Sequence, residues 1–177
     1  KHAADGSVLN LAGDDIEPDP ARTDTWPAGR RIPAAAVRGA LLALQRDPSL
    51  ADPHGLRVTG ADIYDRLDLA HLKVPCPLRL EHCQLRAGLD LDSAELRELS
   101  LDGSRVKSDS ATIPALAGVS VSISGRLSLR GATLTNENGD ALNLDRARVD
   151  GGAFLDEGFT ATGGVRALGA TITGEER

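Results

Sequence analysis

The sequence predicts an all-β fold: a parallel β-helix whose coils have four short faces, with one α-helix capping its amino-terminal end. Three observations carry this expectation. An eight-residue unit with apolar or small residues at its first, third, sixth and eighth positions recurs along the chain. Its early copies start about eleven residues apart, which is the mark of a repeat architecture. Glycine returns at one corner of the unit, at Gly60, Gly103, Gly131 and Gly169, where a tight turn favours a residue that tolerates positive φ.

The stretch from Leu89 to Val106 shows the unit most clearly. Leu89 and Leu91 alternate as on a strand with one face buried, and Ala94 and Leu96 alternate again after two residues that turn the chain. A helix would scatter these positions around its circumference, so the unit is two very short strands joined by a corner. The same octet starts at Leu56, Leu78, Leu127, Leu142 and Val165, more loosely at Leu67, and in degenerate form at Ala153. Ser108–Ser124 and Thr135–Gly139 read as insertions. Two octets span about 22 residues, close to one coil of a solenoid with four faces, so residues 56–177 should hold about five to six coils. An antiparallel sandwich also uses short strands, but it does not keep a fixed period with a corner glycine.

Ahead of the repeat, residues 1–31 form an acidic, proline-containing segment, expected to be partly flexible. Asp14–Asp24 has nothing to bury, and Trp26 is its candidate anchor. Residues 32–55 hold a helix, Pro33–Arg46, and a linker. Pro33 suits a first turn, Asp47-Pro48 stops the run, and Val37, Leu41 and Leu44 lie on one side. An open β-helix exposes an apolar cross-section at its first coil, and this helix is the expected cover.

The pairs Ala61/Ile63, Cys83/Leu85, Ala94/Leu96, Ser104/Val106, Ala132/Leu134, Ala147/Val149 and Ala170/Ile172 place a small residue two positions before an aliphatic one. In this the chain resembles the pentapeptide-repeat family of right-handed quadrilateral β-helices, in which both residues point inward. Leu67/Leu69, Leu78/Leu80, Leu89/Leu91 and Leu127/Leu129 depart from that family by putting a large residue where it prefers a small one. That implies a wider or differently shaped interior. The chain is also similar to a group of actinobacterial β-helix proteins with LxLxxAxL units behind a short helix, some of them labelled oxidoreductases. The resemblance is architectural and spans residues 32–177.

Composition narrows the function classes. One Trp, one Tyr and two Phe among 177 residues suit aliphatic ladders better than the pocket of a globular enzyme. The net charge of −6 lacks the basic face that sequence-nonspecific nucleic-acid binding needs. No apolar run approaches the length of a membrane span and no signal peptide is visible, so a cytoplasmic location is expected. The absence of Met, at position 1 included, suggests a cut or processed chain.

No residues stand out for catalysis, cofactor binding or metal binding. His71, Cys76, His82 and Cys83 lack tight ligand spacing, and the two histidines should lie on opposite sides of the rod. Cys83 takes an inward small-residue position, and both thiols are expected to be reduced. Gly151-Gly152 and Gly163-Gly164 are not followed by a helix pattern, so neither is a phosphate loop. Asp90, Asp92, Asp102 and Asp145 fall on outward positions as a solvated face, where a hydrolytic carboxylate pair could hide.

The leading expectation is therefore a non-enzymatic structural or protein-interaction module, self-associating as a homodimer or part of a larger protein. The repeat breaks off in mid-pattern at its carboxy-terminal end, with no second helix there. Phe154, Phe159 and Ile172 form the expected contact surface at that end. Two alternatives stand beside it. One is a DNA-mimicking rod that acts on a topoisomerase, as some pentapeptide-repeat proteins do, although Arg97, Arg105, Lys107, Arg126, Arg130, Arg146 and Arg148 interrupt the acids. The other is a carbohydrate-processing β-helix enzyme.

Overall fold

The computed structural model describes residues 8–13 and 18–174. Over them the chain winds as a parallel β-solenoid of about four turns, against the five to six coils expected from the repeat, with one helix, α1 (Ala34–Arg46), near its amino-terminal end. Each turn lays a short strand on each of four faces, and every strand pairing is parallel.

The octet explains why. Its inward positions stack directly over their equivalents in the next coil, so each face becomes an aliphatic ladder. The first face stacks Leu56, Leu78, Leu99, Leu127 and Ala153. The second stacks Ile32, Ile63, Leu85, Val106, Leu134 and Ala161. The third stacks Leu67, Leu89, Leu116, Leu142 and Val165, and the fourth Val74, Leu96, Ile123, Val149 and Ile172. Leu67, Leu69, Leu78, Leu80, Leu89 and Leu91 are all buried, so the large residues that interrupt the small-large pattern line the first and third faces. Burying each such side chain is worth about 1.5–3 kcal/mol.

Two columns of corners, half a coil apart, carry positive φ. One runs Gly60, His82, Gly103, Gly131 and the other His71, Ser93, Ser120, Arg146, Gly169. Gly169 therefore does not share a column with Gly60, Gly103 and Gly131; the eleven-residue period conceals a half-coil offset. His71 and His82 fall in different columns. At Gly103 the glycine has a second reason besides its φ of 65°, since a Cβ there would stand 2.6 Å from Nδ1 of His82 in the coil below.

Ser108–Ser124 is not wholly an insertion. Leu116–Ala117 and Ser122–Ile123 are strands of the third and fourth faces, and only the segment before them leaves the coil. The octet is hidden because Gly118 takes a large-residue position and Val121 a small-residue one. Thr135–Gly139 does carry extra residues: within the strand Thr133–Asn143, four residues separate Thr135 from Asp140 where one separates their partners Thr162 and Gly164. Asn136 holds both irregular stretches from within. It is fully buried, with its Nδ2 2.9 Å from the carbonyl of Ser110, 3.0 Å from that of Ile113 and 3.2 Å from that of Asp140.

The amino-terminal end is closed by a half coil and a helix. Val8–Asn10 pairs with Leu56–Thr59 on the first face, and Arg31–Ile32 with Asp62–Ile63 on the second. Over the third and fourth faces α1 replaces the missing strands, burying Ala34, Val37, Leu41 and Leu44. Its polar side chains also satisfy the open backbone edge. Asp90 O accepts from Leu69 N–H of the coil below; its equivalent one coil earlier, Asp68 O, accepts from Arg38 Nε at 2.7 Å. Likewise Glu95 N–H donates to Leu72 O, whereas Lys73 N–H donates to Gln45 Oε1 at 3.2 Å.

The expectation of a segment with nothing to bury does not hold for the described part of Asp14–Asp24. Pro18 and Pro20 are buried, and Pro20–Thr25 forms a short 3₁₀ helix against the second face. Arg86 links the two, with Nη2 3.3 Å from Thr23 Oγ1 and a bidentate pair of 2.6 and 3.0 Å to the buried carboxylate of Asp62. That carboxylate raises the pKa of the guanidinium. Trp26 lies under the guanidinium of Arg30, 4.7 Å from its ring centre. Residues 14–17 lie outside the described residues. Among the described residues no helix is long and apolar enough to cross a membrane.

Candidate interaction surface

The last described coil has the strands Ala153–Phe154, Thr160–Arg166 and Thr171–Ile172, each paired among the described residues with the coil below. The inward ladders thin out. Leu134 is followed by Ala161, Leu142 by Val165 and Leu144 by Ala167, and Val165 is 58% exposed where Leu142 is 2% exposed.

The three expected surface residues take different positions. Phe154 points outward on the first face, in register with Ser128, and Arg130 covers it at 4.7 Å from its ring centre. Phe159 lies above Ala132 at an inward small-residue position and is half-buried against the core. It fills space that the neighbouring Ala161 leaves. Ile172 tops the fourth-face ladder and is also half-buried. These three share one end of the rod, but Phe154 lies on its flank and Phe159 plugs the axis.

Two more exposed apolar residues belong to this end, Val165 and Leu168, the latter 76% exposed. Leu168 stands where the preceding coils have Asp145, Val119 and Asp92, just before the corner residue. A large leucine at an outward octet position that holds Asp92, Val119 and Asp145 in the preceding coils is a signal that sequence alone could have given.

The outward carboxylates have structural partners. Asp92 Oδ1 accepts from Val119 N–H, and Asp102 Oδ1 from Arg130 N–H and the Ser128 hydroxyl. Asp145 Oδ1 accepts from Leu168 N–H, its Oδ2 lies 2.6 Å from Arg166, and Asp90 pairs with Arg66 at 2.7 Å. The Leu168 amide, followed by Arg166, holds the Asp145 carboxyl below its ordinary pKa. Each acid ties its coil to a neighbour, and Glu98 does so twice, to Arg79 and Arg126.

Cys76 and Cys83 are buried free thiols, and burial pushes the Cys83 thiol up to about 12. Among the described residues no group of three or more His, Cys, Asp and Glu side chains could hold a metal ion. A shallow depression of about 670 Å³ lies on the fourth face beside the end of α1. Of its three charged lining residues, Lys73, Glu95 and Arg97, the first two pair with each other at 3.0 Å.

No protein-family model, curated protein or solved structure matches this chain at a significant level.

Proposed function

We propose that the chain is a non-enzymatic interaction module, a rigid β-solenoid that presents its carboxy-terminal end to another protein. The observation that carries this reading is the contrast between the two ends. At the amino-terminal end, α1 covers the apolar cross-section and its side chains pair with backbone groups of the edge. In the last described coil, Val165 and Leu168 are 58% and 76% exposed. Exposed apolar side chains grouped on one surface mark sites of association. The small-large inward pairs favour a place near the pentapeptide-repeat proteins and the similar actinobacterial β-helix group.

Commitment of Asp92, Asp102 and Asp145 to neighbouring backbone groups disfavours a hydrolytic carboxylate pair. Arginines interleaved with the acids disfavour a DNA-mimicking stripe. The test is photo-cross-linking from Leu168→Cys, with Ser124→Cys on the middle of the rod as control, in an extract of the source cells. Buried Cys76 and Cys83 stay unlabelled in the folded protein. Discrete protein adducts from position 168 alone are expected. Adducts from neither site, or equally from both, overturn the reading.

A further inference from the structure

We propose that the flank of the rod carries a binding site for a small carboxylate with an N–H donor beside it, as in an amino acid or the last residue of a peptide. The site is a depression of about 310 Å³ between the 3₁₀ segment Pro20–Thr25 and the second face. That volume lies at the lower end of the range for small-molecule sites. It is separate from the carboxy-terminal surface and stands whether or not that surface takes a partner.

The outward positions of the second face run Asp62, Gln84, Arg105 and Thr133 from coil to coil. The outer two are satisfied by the protein. Asp62 holds Arg86 at 2.6 and 3.0 Å, and Thr133 accepts from the Thr160 hydroxyl at 3.3 Å. The inner two are not, and both line the depression.

Gln84 is 9% exposed, because the 3₁₀ segment packs against its strand. Its Nε2 reaches only the carbonyl of Leu85, at a long 3.4 Å, and among the described residues its Oε1 accepts no hydrogen bond. A buried amide with an unpaired carbonyl costs free energy, and a ligand N–H would remove that cost. Arg105 lies in register with Gln84, one coil on. It is half-buried, and among the described residues its guanidinium has no ion pair or hydrogen bond. A guanidinium takes a carboxylate in a planar, two-pronged contact.

Acceptor and cation thus stand on adjacent coils, about 4.8 Å apart along the rod, so one residue-sized ligand reaches both. The rest of the lining agrees. Lys107 adds a second cation, and its pair with Asp109 at 3.2 Å joins two exposed side chains and holds it weakly. Against these two cations the depression has one acid, Glu137, so an anion is favoured. Pro20 and Ala21 form an uncharged wall that suits a short aliphatic side chain. A phosphate would leave the Gln84 carbonyl unpaired, since it brings no N–H.

The experiment is nitrogen–proton NMR of the full chain, following the side-chain amide of Gln84 and the Nε–H of Arg105. The probes are L-alanine and N-acetyl-L-alanine, which carry both groups. Acetate lacks the N–H and N-acetyl-L-alaninamide lacks the carboxylate. At least one of the first two should shift both signals to saturation in the low millimolar range, and each control should bind at least about tenfold more weakly. Saturation by L-alanine assigns the site to free amino acids, and saturation by the acetylated form alone assigns it to peptide ends.

Arg105→Gln should weaken the saturating probe about tenfold or more, and thermal denaturation checks that the variant folds. Gln84→Leu should bring that probe down to the affinity of acetate without changing acetate itself. The proposal is overturned if neither probe saturates by about 50 mM, or if a control binds as well as both probes. Binding that Arg105→Gln leaves unchanged overturns it too.

Discussion

The hydroxyl of Ser104 stands between Cys83 and the carbonyl of Leu80 in the coil below. It accepts from Cys83 N–H at 2.9 Å and donates to Leu80 O at 2.7 Å. At the same corner of other coils this bond is direct: Ser104 N–H donates to Leu101 O and Ala132 N–H to Leu129 O. Around Cys83 the turn is opened by one hydroxyl, and the thiol occupies the space beside it, 3.3 Å from Glu81 O. A serine at a small inward position thus becomes a link between successive coils.

Ser104→Ala is therefore expected to cost about 1–3 kcal/mol, the usual penalty for leaving a buried donor and acceptor unpaired. Thermal denaturation measures it, at about 2–4 °C of melting temperature per kcal/mol for a chain of this size. A loss below about 0.5 kcal/mol would mean that the turn closes directly, as it does at Ala132.

The cap is open to a similar test. Leu41 is 1% exposed between α1 and the first coil, so Leu41→Ala should cost about 2–5 kcal/mol. Gln45→Ala should act more locally. It removes the acceptor of Lys73 N–H, and hydrogen exchange at that amide should quicken while the amide of Glu95, one coil on, is unchanged. Equal effects at both amides would contradict the replacement of a missing strand by helix side chains.

Burial disfavours both thiolates, and for Cys83 the pKa rises to about 12. The reactive fraction of Cys83 at pH 8 is then on the order of 10⁻⁴. Alkylation of the folded chain at pH 8 should be very slow, and two thiols should titrate once it is unfolded. Rapid modification of Cys83 in the folded chain would contradict its place in the core.

Asp145 sets how the last coil responds to acid. Its folded pKa lies below the ordinary value because Leu168 N–H and Arg166 favour the carboxylate. A lowered folded pKa adds stability above the ordinary value of about 3.9, and that stability is lost as pH falls through the folded value. Protection of the Leu168 amide, taken as its exchange relative to the intrinsic rate at each pH, should therefore fall on acidification below about pH 4, and Asp145→Asn should flatten that dependence. An unchanged pH profile in the variant would assign the acid sensitivity to another group.

The architecture was legible because a solenoid repeats one local solution. Each octet buries its own inward residues against the coils on either side, so periodicity alone revealed the strands, the corners and the helix cap. Where the pattern failed, volume had been traded between neighbours. Gly118 and Val121 exchange a large and a small position and so conceal an octet. Phe159 replaces a small residue above Ala132 while Ala161 replaces the aliphatic residue above Leu134. A one-dimensional template cannot see such compensation, because the space is shared across coils.

The surface at the carboxy-terminal end was legible only in part for the same reason. Sequence alone determined that Phe154 alternates outward. The fold decided that Arg130 covers Phe154 and that Phe159 turns toward the axis. It also placed Asp156 and Glu157 diagonally across the rod from Arg146 and Arg166, and it left Val165 and Leu168 exposed. Inward or outward direction follows from strand alternation, which is local. Which side chain covers which, and which charges face each other across a coil, depends on residues brought together by winding.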